Sequence, residues 1–413
     1  MTALTLQPEA TAAATRLTLP ADAARPALRF LTAGSVDDGK STLIGRLLLD
    51  SQALLADQLE TLTRRAGGLP PDLSLVTDGL EAEREQGITI DVAYRYFATP
   101  SRKFIIADAP GHEQYTRNMV TAAAGSDAAV VLVDITKLDW RRPPVKLLPQ
   151  TRRHALLARQ LRVPSVVFAV NKLDAVDDPA AAFAAVREAL ETFAAEAGIV
   201  PAGCVPVSAL RGDHVAVPGW TDWHQGPTLL ELLESLPSGS ATPGAPNAEG
   251  PTDAALRLPV QYVARDPAHE GQGDLSRVIW GRIAAGSVRR GDTVTVFPAG
   301  TTARVVEVRR AGERVEGACA GQSAGLVLDR QIDVSRGDWL GNATALQPHD
   351  QCWATLAWLD VEPAVVGRKY WLRHGHRWVQ ARLGAIAERL DIHTLRPEPA
   401  TSLGVNELGT VCF

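Results

Sequence analysis

Cysteine is scarce in this 413-residue chain, and the few thiols are widely spaced. The four cysteines are Cys204, Cys319, Cys352 and Cys412, with no C-x-x-C pair among them. That spacing excludes a cysteine-rich metal motif and a disulfide framework. It predicts reduced, mostly buried thiols in a cytoplasmic protein.

Long apolar runs and an excess of positive charge are also missing. No run reaches the roughly 18 apolar residues of a membrane span, because Asp127 interrupts the most apolar stretch, residues 119–133. Residues 1–26 are rich in Ala and Thr and contain Glu9 and Asp22, which predicts a flexible tail rather than a signal peptide. A net charge of -5 argues against a protein that coats nucleic acid, although a local basic patch stays open.

The chain does contain a phosphate-binding loop in a suitable local context. Residues 34–41 spell GSVDDGKS between a predicted buried strand at 27–33 and a predicted amphipathic helix over 42–49. The glycines let backbone N–H groups curl around a polyphosphate, and the helix N-terminus adds partial positive charge. Lys40 is the predicted catalytic contact to the β- and γ-phosphates, and Ser41 a predicted Mg²⁺ ligand. The predicted nucleotide contacts of this loop are Gly34, Ser35, Val36, Asp37, Asp38, Gly39, Lys40, Ser41 and Thr42.

A second motif follows a predicted strand at 103–107. A carboxylate at the strand end and a glycine turn form the place where P-loop enzymes hold Mg²⁺ and sense the γ-phosphate. The predicted nucleotide contacts here are Asp108, Ala109, Pro110, Gly111 and His112, with Asp108 also a Mg²⁺ ligand. In the segment EQGITI at 85–90, Thr89 is predicted to add a Mg²⁺ ligand from a loop that orders with the γ-phosphate.

Two further motifs predict recognition of guanine. Predicted strands at 165–170 and 204–207 lead into the expected base contacts Asn171, Lys172, Asp174, Ser208, Ala209 and Leu210. The Asp174 carboxylate can accept hydrogen bonds from the N1–H and N2 amino groups of guanine, whereas adenine offers neither donor. Sites of this kind reject an analogue that leaves a buried group unpaired, by about 10⁴-fold or more. The predicted ligand is therefore GTP, with Mg²⁺.

The alternation of helical and strand patterns predicts an α/β fold up to about residue 236. This is the rhythm of a doubly wound, mostly parallel sheet, here a P-loop GTPase domain over 27–236. Residues 237–254 are rich in Pro, Gly, Ser and Ala, as in a linker. Short β-rich segments separated by Gly turns then predict two all-β barrel domains, at 255–346 and 347–413.

Several segments closely resemble one protein family. They are GSVDDGKSTLIGRLL at 34–48, PGHEQYTRNM at 110–119, QTRRH at 150–154, SALRGD at 208–213, QGPTLL at 225–230, LPVQYV at 258–263, DIHTL at 391–395 and NELG at 406–409. Together they resemble the large, GTP-binding subunit of bacterial ATP sulfurylase, sulfate adenylyltransferase subunit 1, over about residues 28–413.

The resemblance implies a GTPase that works with a smaller catalytic subunit, in a heterodimer or a higher assembly. That partner would convert ATP and sulfate to adenosine 5′-phosphosulfate and pyrophosphate during sulfate assimilation and cysteine biosynthesis, and GTP hydrolysis would drive the uphill step. The resemblance also assigns to His112 the positioning of the attacking water. The alternative role is a surface histidine that caps the following helix.

Three features depart from the family pattern. Residues 134–150 form a longer loop, which is either a partner-binding surface or a solvated insertion. Its basic residues are Lys137, Arg141, Arg142 and Lys146. Ala109 replaces a more usual threonine, with no expected effect on Mg²⁺. The chain ends at Phe413, a few strands before the third domain is expected to close, so that barrel is expected to be either truncated or completed by a partner. The fused bifunctional form, with a kinase domain after the barrels, is not expected.

Two other functions fit parts of the pattern. A translational GTPase that carries RNA to the ribosome shares the expected fold, but the net charge and the family-specific segments argue against it. A purely regulatory GTP-binding module would lack turnover. The His-Gly-His triplet at 374–376 is similar to a nucleotidylyltransferase motif, but it is expected in a barrel strand, without the parallel β–α context of such enzymes.

Overall fold

The first part of the chain forms a six-stranded sheet. In this computed structural model the described residues are 27–54, 60, 64, 72–76, 91–112, 115–219, 223–238, 255–265, 277–342 and 346–413. The strands are β1 Leu28–Ala33, β2 Ala93–Ala98, β3 Lys103–Asp108, β4 Ala128–Asp134, β5 Ser165–Asn171 and β6 Pro201–Pro206. Their order is β2-β3-β1-β4-β5-β6, and all neighbours are parallel except β2 and β3.

Helices cover both faces of this sheet. They are α1 Lys40–Asp50, α2 Thr116–Ala123, α3 Pro149–Gln160, α4 Pro179–Glu196 and α5 Leu229–Ser235, with 3₁₀ turns at Leu73–Val76, Ile135–Lys137 and Leu173–Ala175. Buried residues of α2, α3 and α4 share one apolar cluster, and those of α1 and α5 share another. All seven residues of β4 are buried, and the first six alternate between the two clusters. A strand buried on both faces reads as a nearly continuous apolar run, which explains the sequence AAVVLV before the terminal Asp134.

A second, antiparallel β unit follows. Its strands are β7 Arg257–Pro259, β8 Tyr262–Arg265, β9 Arg277–Arg282, β10 Ser287–Arg289, β11 Thr293–Phe297, β12 Thr302–Arg310, β13 Glu313–Val315, β14 Gly317–Cys319, β15 Ser323–Leu328 and β16 Trp339–Gly341. The main sheet has the order β7-β16-β11-β12-β15-β9-β8 and encloses its own apolar cluster.

A third unit consists of three smaller antiparallel sheets. Its strands are β17 Trp353–Ala357, β18 Ala364–Val365, β19 Lys369–His374, β20 Arg377–Arg382, β21 Ala385–Leu390, β22 Pro397–Glu398, β23 Ser402–Leu403 and β24 Leu408–Cys412. They pair as β17-β24-β21-β22, β18-β23 and β19-β20.

Helix α3 connects the first unit to the third. Arg152 donates from Nε to the Ile392 carbonyl at 2.7 Å and from Nη2 to the His393 carbonyl at 2.8 Å. At the other end of the helix, Gln160 Nε2 donates to the Thr355 carbonyl at 2.7 Å. Leu408 of the third unit belongs to the apolar cluster of the first. The two units therefore share buried surface.

The predicted fold class is confirmed, whereas the domain boundaries at 236, 254 and 346 stay predictions. The predicted tail (1–26), the segment 85–90 and residues 239–254 of the linker lie outside the described residues. All four cysteines are free, but the expectation of mostly buried thiols is wrong, because only Cys412 is buried and Cys352 is exposed. Within the described residues, no helix has both the length and the apolar character to cross a bilayer.

Candidate nucleotide site

The P-loop turns sharply from β1 into α1. Gly39 adopts a left-handed conformation at the N-cap, with φ of 92°, and a Cβ at this position would collide with the Asn171 amide. Glycine is required there for both reasons. The first turn of α1 has no side-chain cap. Its amides are therefore available to an anion, as a phosphate site needs.

Asp38 holds the loop in this shape from within. Its side chain is fully buried and accepts hydrogen bonds from the Ser35 amide at 2.5 Å and from Lys137 Nζ at 2.8 Å. Lys137 also donates to the Val36 carbonyl. The Asp38 carboxylate is thus bonded within the protein. Of the two adjacent acids in the loop, only Asp37 lines the cavity beside the loop.

Lys40 lies at the centre of the loop and is buried. Its ammonium donates to the Gly34 carbonyl at 3.1 Å and to the Ser35 carbonyl at 2.7 Å. Burial lowers the pKa of Lys40, and the nearby carboxylates of Asp38 and Asp108 oppose that shift. A buried ammonium that rests on two backbone carbonyls is well placed to exchange these weak partners for an anionic phosphate.

The second motif lies against Lys40. Asp108 ends β3 and is buried, and the Thr32 hydroxyl donates to its Oδ1 at 3.4 Å. Gly111 approaches so closely that a Cβ there would clash with Lys40 Nζ and would lie 2.7 Å from the Gly34 carbonyl oxygen. The absence of a side chain at Gly111 is what lets this turn reach the P-loop.

His112 follows at the mouth of the cavity. Its Nδ1 is buried and has no hydrogen-bond partner among the described residues, and its ring lies 6.1 Å from that of Tyr115. Behind the turn, Gln150 Nε2 lies 3.5 Å from the Gly111 carbonyl oxygen and 2.9 Å from His154 Nε2. His154 is fully buried, and burial lowers its pKa to about 3. It is therefore a neutral contact behind the site.

The guanine motifs meet the P-loop through Asn171. Its amide nitrogen donates to the Asp38 carbonyl at 2.8 Å, and its amide oxygen accepts from the Ala209 N–H at 3.0 Å. One side chain thus links the phosphate loop to the loop after β6. Asp174 lies in the adjacent 3₁₀ turn and is 13% exposed, with Arg211 Nε at 3.9 Å from its Oδ2. Nearby, Lys172 Nζ donates to Asp134 Oδ2 at 2.6 Å.

A cavity of about 300 Å³ opens beside these groups. It is lined by Val36, Asp37, Gly39, Lys40, Ser41, Thr42, Ser74, Gly111, His112 and Lys172. The structure therefore brings the P-loop, the turn after β3 and the loop after β5 to one edge of the sheet. The Ser208 and Ala209 side chains are buried and Leu210 is 61% exposed. Thr89 lies outside the described residues.

The donor set near the phosphate end suits a hard cation. Ser41 and Asp108 supply a hydroxyl and a carboxylate, which are oxygen ligands of the type that Mg²⁺ takes together with waters and phosphate oxygens. The described residues contain no cluster of three or more His, Cys, Asp or Glu side chains that would form an all-protein metal cage. A site of one or two protein oxygens completed by a nucleotide fits magnesium better than zinc.

The structure adds one contact to the loop at 134–150, whose two interpretations, a partner-binding surface or a solvated insertion, stay predictions. Lys137 is exposed, yet its ammonium pairs with Asp38 at 2.8 Å and lies 3.8 Å from Asp134 Oδ2. Sequence reasoning noticed this lysine only as loop charge. The one available signal was its position three residues after Asp134, at the carboxyl end of β4.

Two further features concern residues outside the P-loop: Arg46, which no motif predicted, and the His-Gly-His triplet. Arg46 was not predicted to take part, yet its Nη2 donates to the Leu210 carbonyl at 2.6 Å and links α1 to the base-side loop. The His-Gly-His triplet lies at the turn between β19 and β20, and His374 stacks on Trp339 at 5.0 Å. It has no parallel β–α context there, as expected.

Several known proteins are similar to this chain. The family model described as "Elongation factor Tu GTP binding domain" matches residues 25–238. The bifunctional enzyme NodQ of Azospirillum brasilense is 46% identical over 93% of this chain, and the chain spans 60% of that relative's length. Sulfate adenylyltransferase subunit 1 of Laribacter hongkongensis is 42% identical over 93% of this chain, and the match covers 77% of that relative's length. The crystal structure of bacterial selenocysteine-specific elongation factor EF-Sec has 24% identity and a TM-score of 0.41 over 93% of this chain and 53% of that one.

Two of these matches bear on family membership. The domain model covers more than half of the chain and ends where the α/β sheet and α5 end. The subunit 1 relative shares its sequence well beyond that domain, through both β-rich units. The chain therefore belongs to the sulfate adenylyltransferase subunit 1 family, and its first domain is a GTP-binding domain of the elongation factor Tu type.

Proposed function

We propose that this chain is the GTP-hydrolysing subunit of a two-component sulfate adenylyltransferase. The observation that carries the proposal is that a P-loop with a buried Lys40 and the Gly111 turn line one cavity, in a member of this family. Behind the P-loop, Asn171 bonds to the Asp38 carbonyl and joins that loop to the base-side motifs. GTP and water would yield GDP and phosphate here. In the smaller partner subunit, ATP and sulfate would yield adenosine 5′-phosphosulfate and pyrophosphate. The uphill second reaction would draw its free energy from the first, in the cytoplasm, as part of sulfate assimilation.

The phosphate end of the site would act mainly by positioning and charge. The uncapped amides of α1 and the Lys40 ammonium would bind the β- and γ-phosphates, with Lys40 leaving the carbonyls of Gly34 and Ser35 to do so. Ser41, Asp108 and Thr89 would hold Mg²⁺, which when bound neutralises phosphate charge. His112 would orient the attacking water through its imidazole.

The base end would select guanine. Asp174 would accept the N1–H and N2 donors, and Arg211, 3.9 Å from Oδ2, would have to share the carboxylate with the base or move aside. Asn171 would fix the distance between the base and phosphate loops, because it bonds to both at once. The described residues contain one such set of motifs, so the proposal places the ATP site on the partner.

The coupling between subunits would run through the segments that respond to the γ-phosphate. These are the Gly111–His112 turn and the segment that carries Thr89. Binding must then be reciprocal: GTP would tighten the partner by the same factor as the partner tightens GTP. Titration of each ligand in the presence and absence of the other measures this factor.

The test is reconstitution with the small subunit. We expect pyrophosphate release from ATP and sulfate to accelerate with GTP, and a non-hydrolysable GTP analogue to bind without sustaining it. Equal product yields with GTP, with the analogue and without guanine nucleotide would overturn the proposal.

The same preparation tests the two alternative functions. A translational GTPase would co-purify with RNA, and its 260/280 nm absorbance ratio would exceed that of one bound guanine nucleotide. A regulatory module would bind GTP but release no phosphate with any partner.

A further inference from the structure

The ribbon formed by β19 and β20 has two different faces. Residues directly opposite each other in an antiparallel pair project to the same side. The pairs Lys369↔Arg382, Trp371↔Gln380 and Arg373↔Trp378 therefore define one face, which we call the outer face. The pairs that alternate with them define the inner face.

The inner face anchors the ribbon to the rest of the molecule. His374 stacks on Trp339 of the second unit, with ring centroids 5.0 Å apart. Arg377 Nη1 lies 3.3 Å from Asp338 Oδ1, and the Tyr370 ring packs edge-on against Trp358 at 5.3 Å. The ribbon is thus held in a defined orientation, and its outer side chains are presented on a stable support.

All six side chains of the outer face are exposed. Trp371 is 65% exposed and Trp378 is 57% exposed, an unusual state for two large aromatic residues on one small surface. Arg373 lies over the Trp378 ring, with its Cζ 5.6 Å from the ring centroid. No ion pair of Lys369 or Arg382 is found within the described part of the chain. Residues 369–382 contain no Asp or Glu, in a chain of net charge -5.

We propose that this outer face is a docking surface for an acidic, partly apolar surface of the small adenylyl-transferring subunit. The inference rests on the proposed function. Three cations without a carboxylate are complementary to an acidic surface, and Trp and Arg are the residues that most often dominate protein interfaces. The aromatic pair would fill apolar depressions, and the cations would pair with carboxylates around them.

The size and charge of the face favour protein over nucleic acid. At about 3.3 Å per residue, the stretch from Lys369 to Arg373 spans roughly 13 Å. A protein that makes about 6–10 phosphate contacts draws much of its affinity for nucleic acid from them, and three cations supply fewer contacts than that. A protein partner, in contrast, needs only a few central aromatic and arginine anchors.

The test compares variants of the outer face with matched controls in the full-length chain. Binding to the purified small subunit is measured by calorimetry for Trp371→Ser, Trp378→Ser and the pair Arg373→Glu with Arg382→Glu. We expect each tryptophan variant to weaken binding about 30-fold or more and charge reversal to weaken it further at low salt. Trp353→Ser is the control for an exposed tryptophan elsewhere, since Trp353 is 62% exposed on β17. Arg290→Glu, at an exposed turn of the second unit, is the control for charge.

Each outcome decides a separate question, provided that circular dichroism shows the variants folded and their GTP affinity is unchanged. Weaker binding in the outer-face variants with normal binding in both controls supports the docking surface. If the unaltered chain binds the small subunit and all variants bind equally, the docking surface is wrong and the proposed function stands. If the unaltered chain does not bind the small subunit in any nucleotide state, both fail. In a further outcome, the unaltered chain and both controls bind a single-stranded oligonucleotide tightly while the outer-face variants do not. That result would assign the outer face to nucleic acid and overturn the proposal.

Discussion

Removing the ammonium of Lys137 is expected to disorganise the P-loop from outside the nucleotide cavity. In Lys137→Met the Asp38 carboxylate, fully buried, would lose its ion-pair partner at 2.8 Å and keep the Ser35 amide and the nearby charge of Lys40. Asp134 would keep Lys172 at 2.6 Å. The damage is therefore concentrated on Asp38.

The expected magnitude follows from the burial of the two partners. Breaking a fully buried ion pair destabilises a protein by about 3–5 kcal/mol. The Lys137 side chain is 32% exposed, so water can partly replace it, and we expect a loss of about 1–3 kcal/mol in the free energy of unfolding. If GTP binding must spend about 1–2 kcal/mol of its free energy to return the P-loop to its ordered shape, the affinity for GTP falls about 5- to 30-fold.

Urea unfolding and fluorescence titration with a labelled guanine nucleotide measure the two quantities. Arg142→Met is the matched control, because Arg142 is 85% exposed and lies 3.7 Å from Asp139 in the same loop. We expect that variant to change stability by less than about 0.5 kcal/mol. In an Asp38→Asn background, the Lys137→Met change should lose most of its effect. Full stability and normal GTP affinity in Lys137→Met would refute the structural role given to this pair.

Four other substitutions test the remaining parts of the site. Lys40→Ala should abolish GTP hydrolysis in a folded protein, since a lost contact to the transferring phosphoryl group costs several kcal/mol of transition-state stabilisation. The release of phosphate measures the hydrolysis rate, and near-normal turnover would contradict the role of Lys40. Asp174→Asn should shift preference from GTP to xanthosine triphosphate, because an amide donor then faces the xanthine carbonyl; competition binding tests this, and retained selection of GTP would show that Asp174 does not contact the base. His112→Ala should bind GTP and the partner normally but hydrolyse slowly, so adenosine 5′-phosphosulfate formation should fall with GTP turnover, and unchanged rates in the reconstituted complex would exclude the water-positioning role. His154→Gln should flatten the dependence of stability on acid pH. Folding lowers the pKa of His154 to about 3 from 6.5, so the stability that its neutral ring contributes is complete above pH 6.5 and is lost as the pH falls toward 3. Equal slopes of the free energy of unfolding against pH in both proteins would contradict this prediction.

Motifs that are contiguous in sequence were predictable because their chemistry is local. The loop at 34–41 and the turn at 108–112 each carry their glycines, lysine or carboxylate within a few residues. The strand before each motif was recognisable by its apolar run, and its end was placed within about two residues. The strand predicted at 204–207 begins earlier, at Pro201, because the half-buried residues of this edge strand are not apolar enough to mark it.

Contacts between distant residues were not predictable in the same way. Nothing near Lys137 in the sequence indicates that its partner is Asp38, ninety-nine positions away, since the pair exists only because β4 lies beside β1 in the sheet. The bridge from Asn171 to Asp38 and Ala209 depends likewise on neighbouring loops at one edge. The two tryptophans of the outer face are adjacent only through the register of β19 and β20.

The sequence by itself therefore determined the fold class, the order of the nucleotide motifs and the family, because strand and helix periods and glycine turns are properties of short segments. The tertiary structure alone decided which carboxylate stays inside the P-loop, which lysine neutralises it and which side chains of the β19–β20 ribbon share its outer face. Those outcomes depend on which chain segments exclude water from one another, and burial of this kind is a property of the packed molecule.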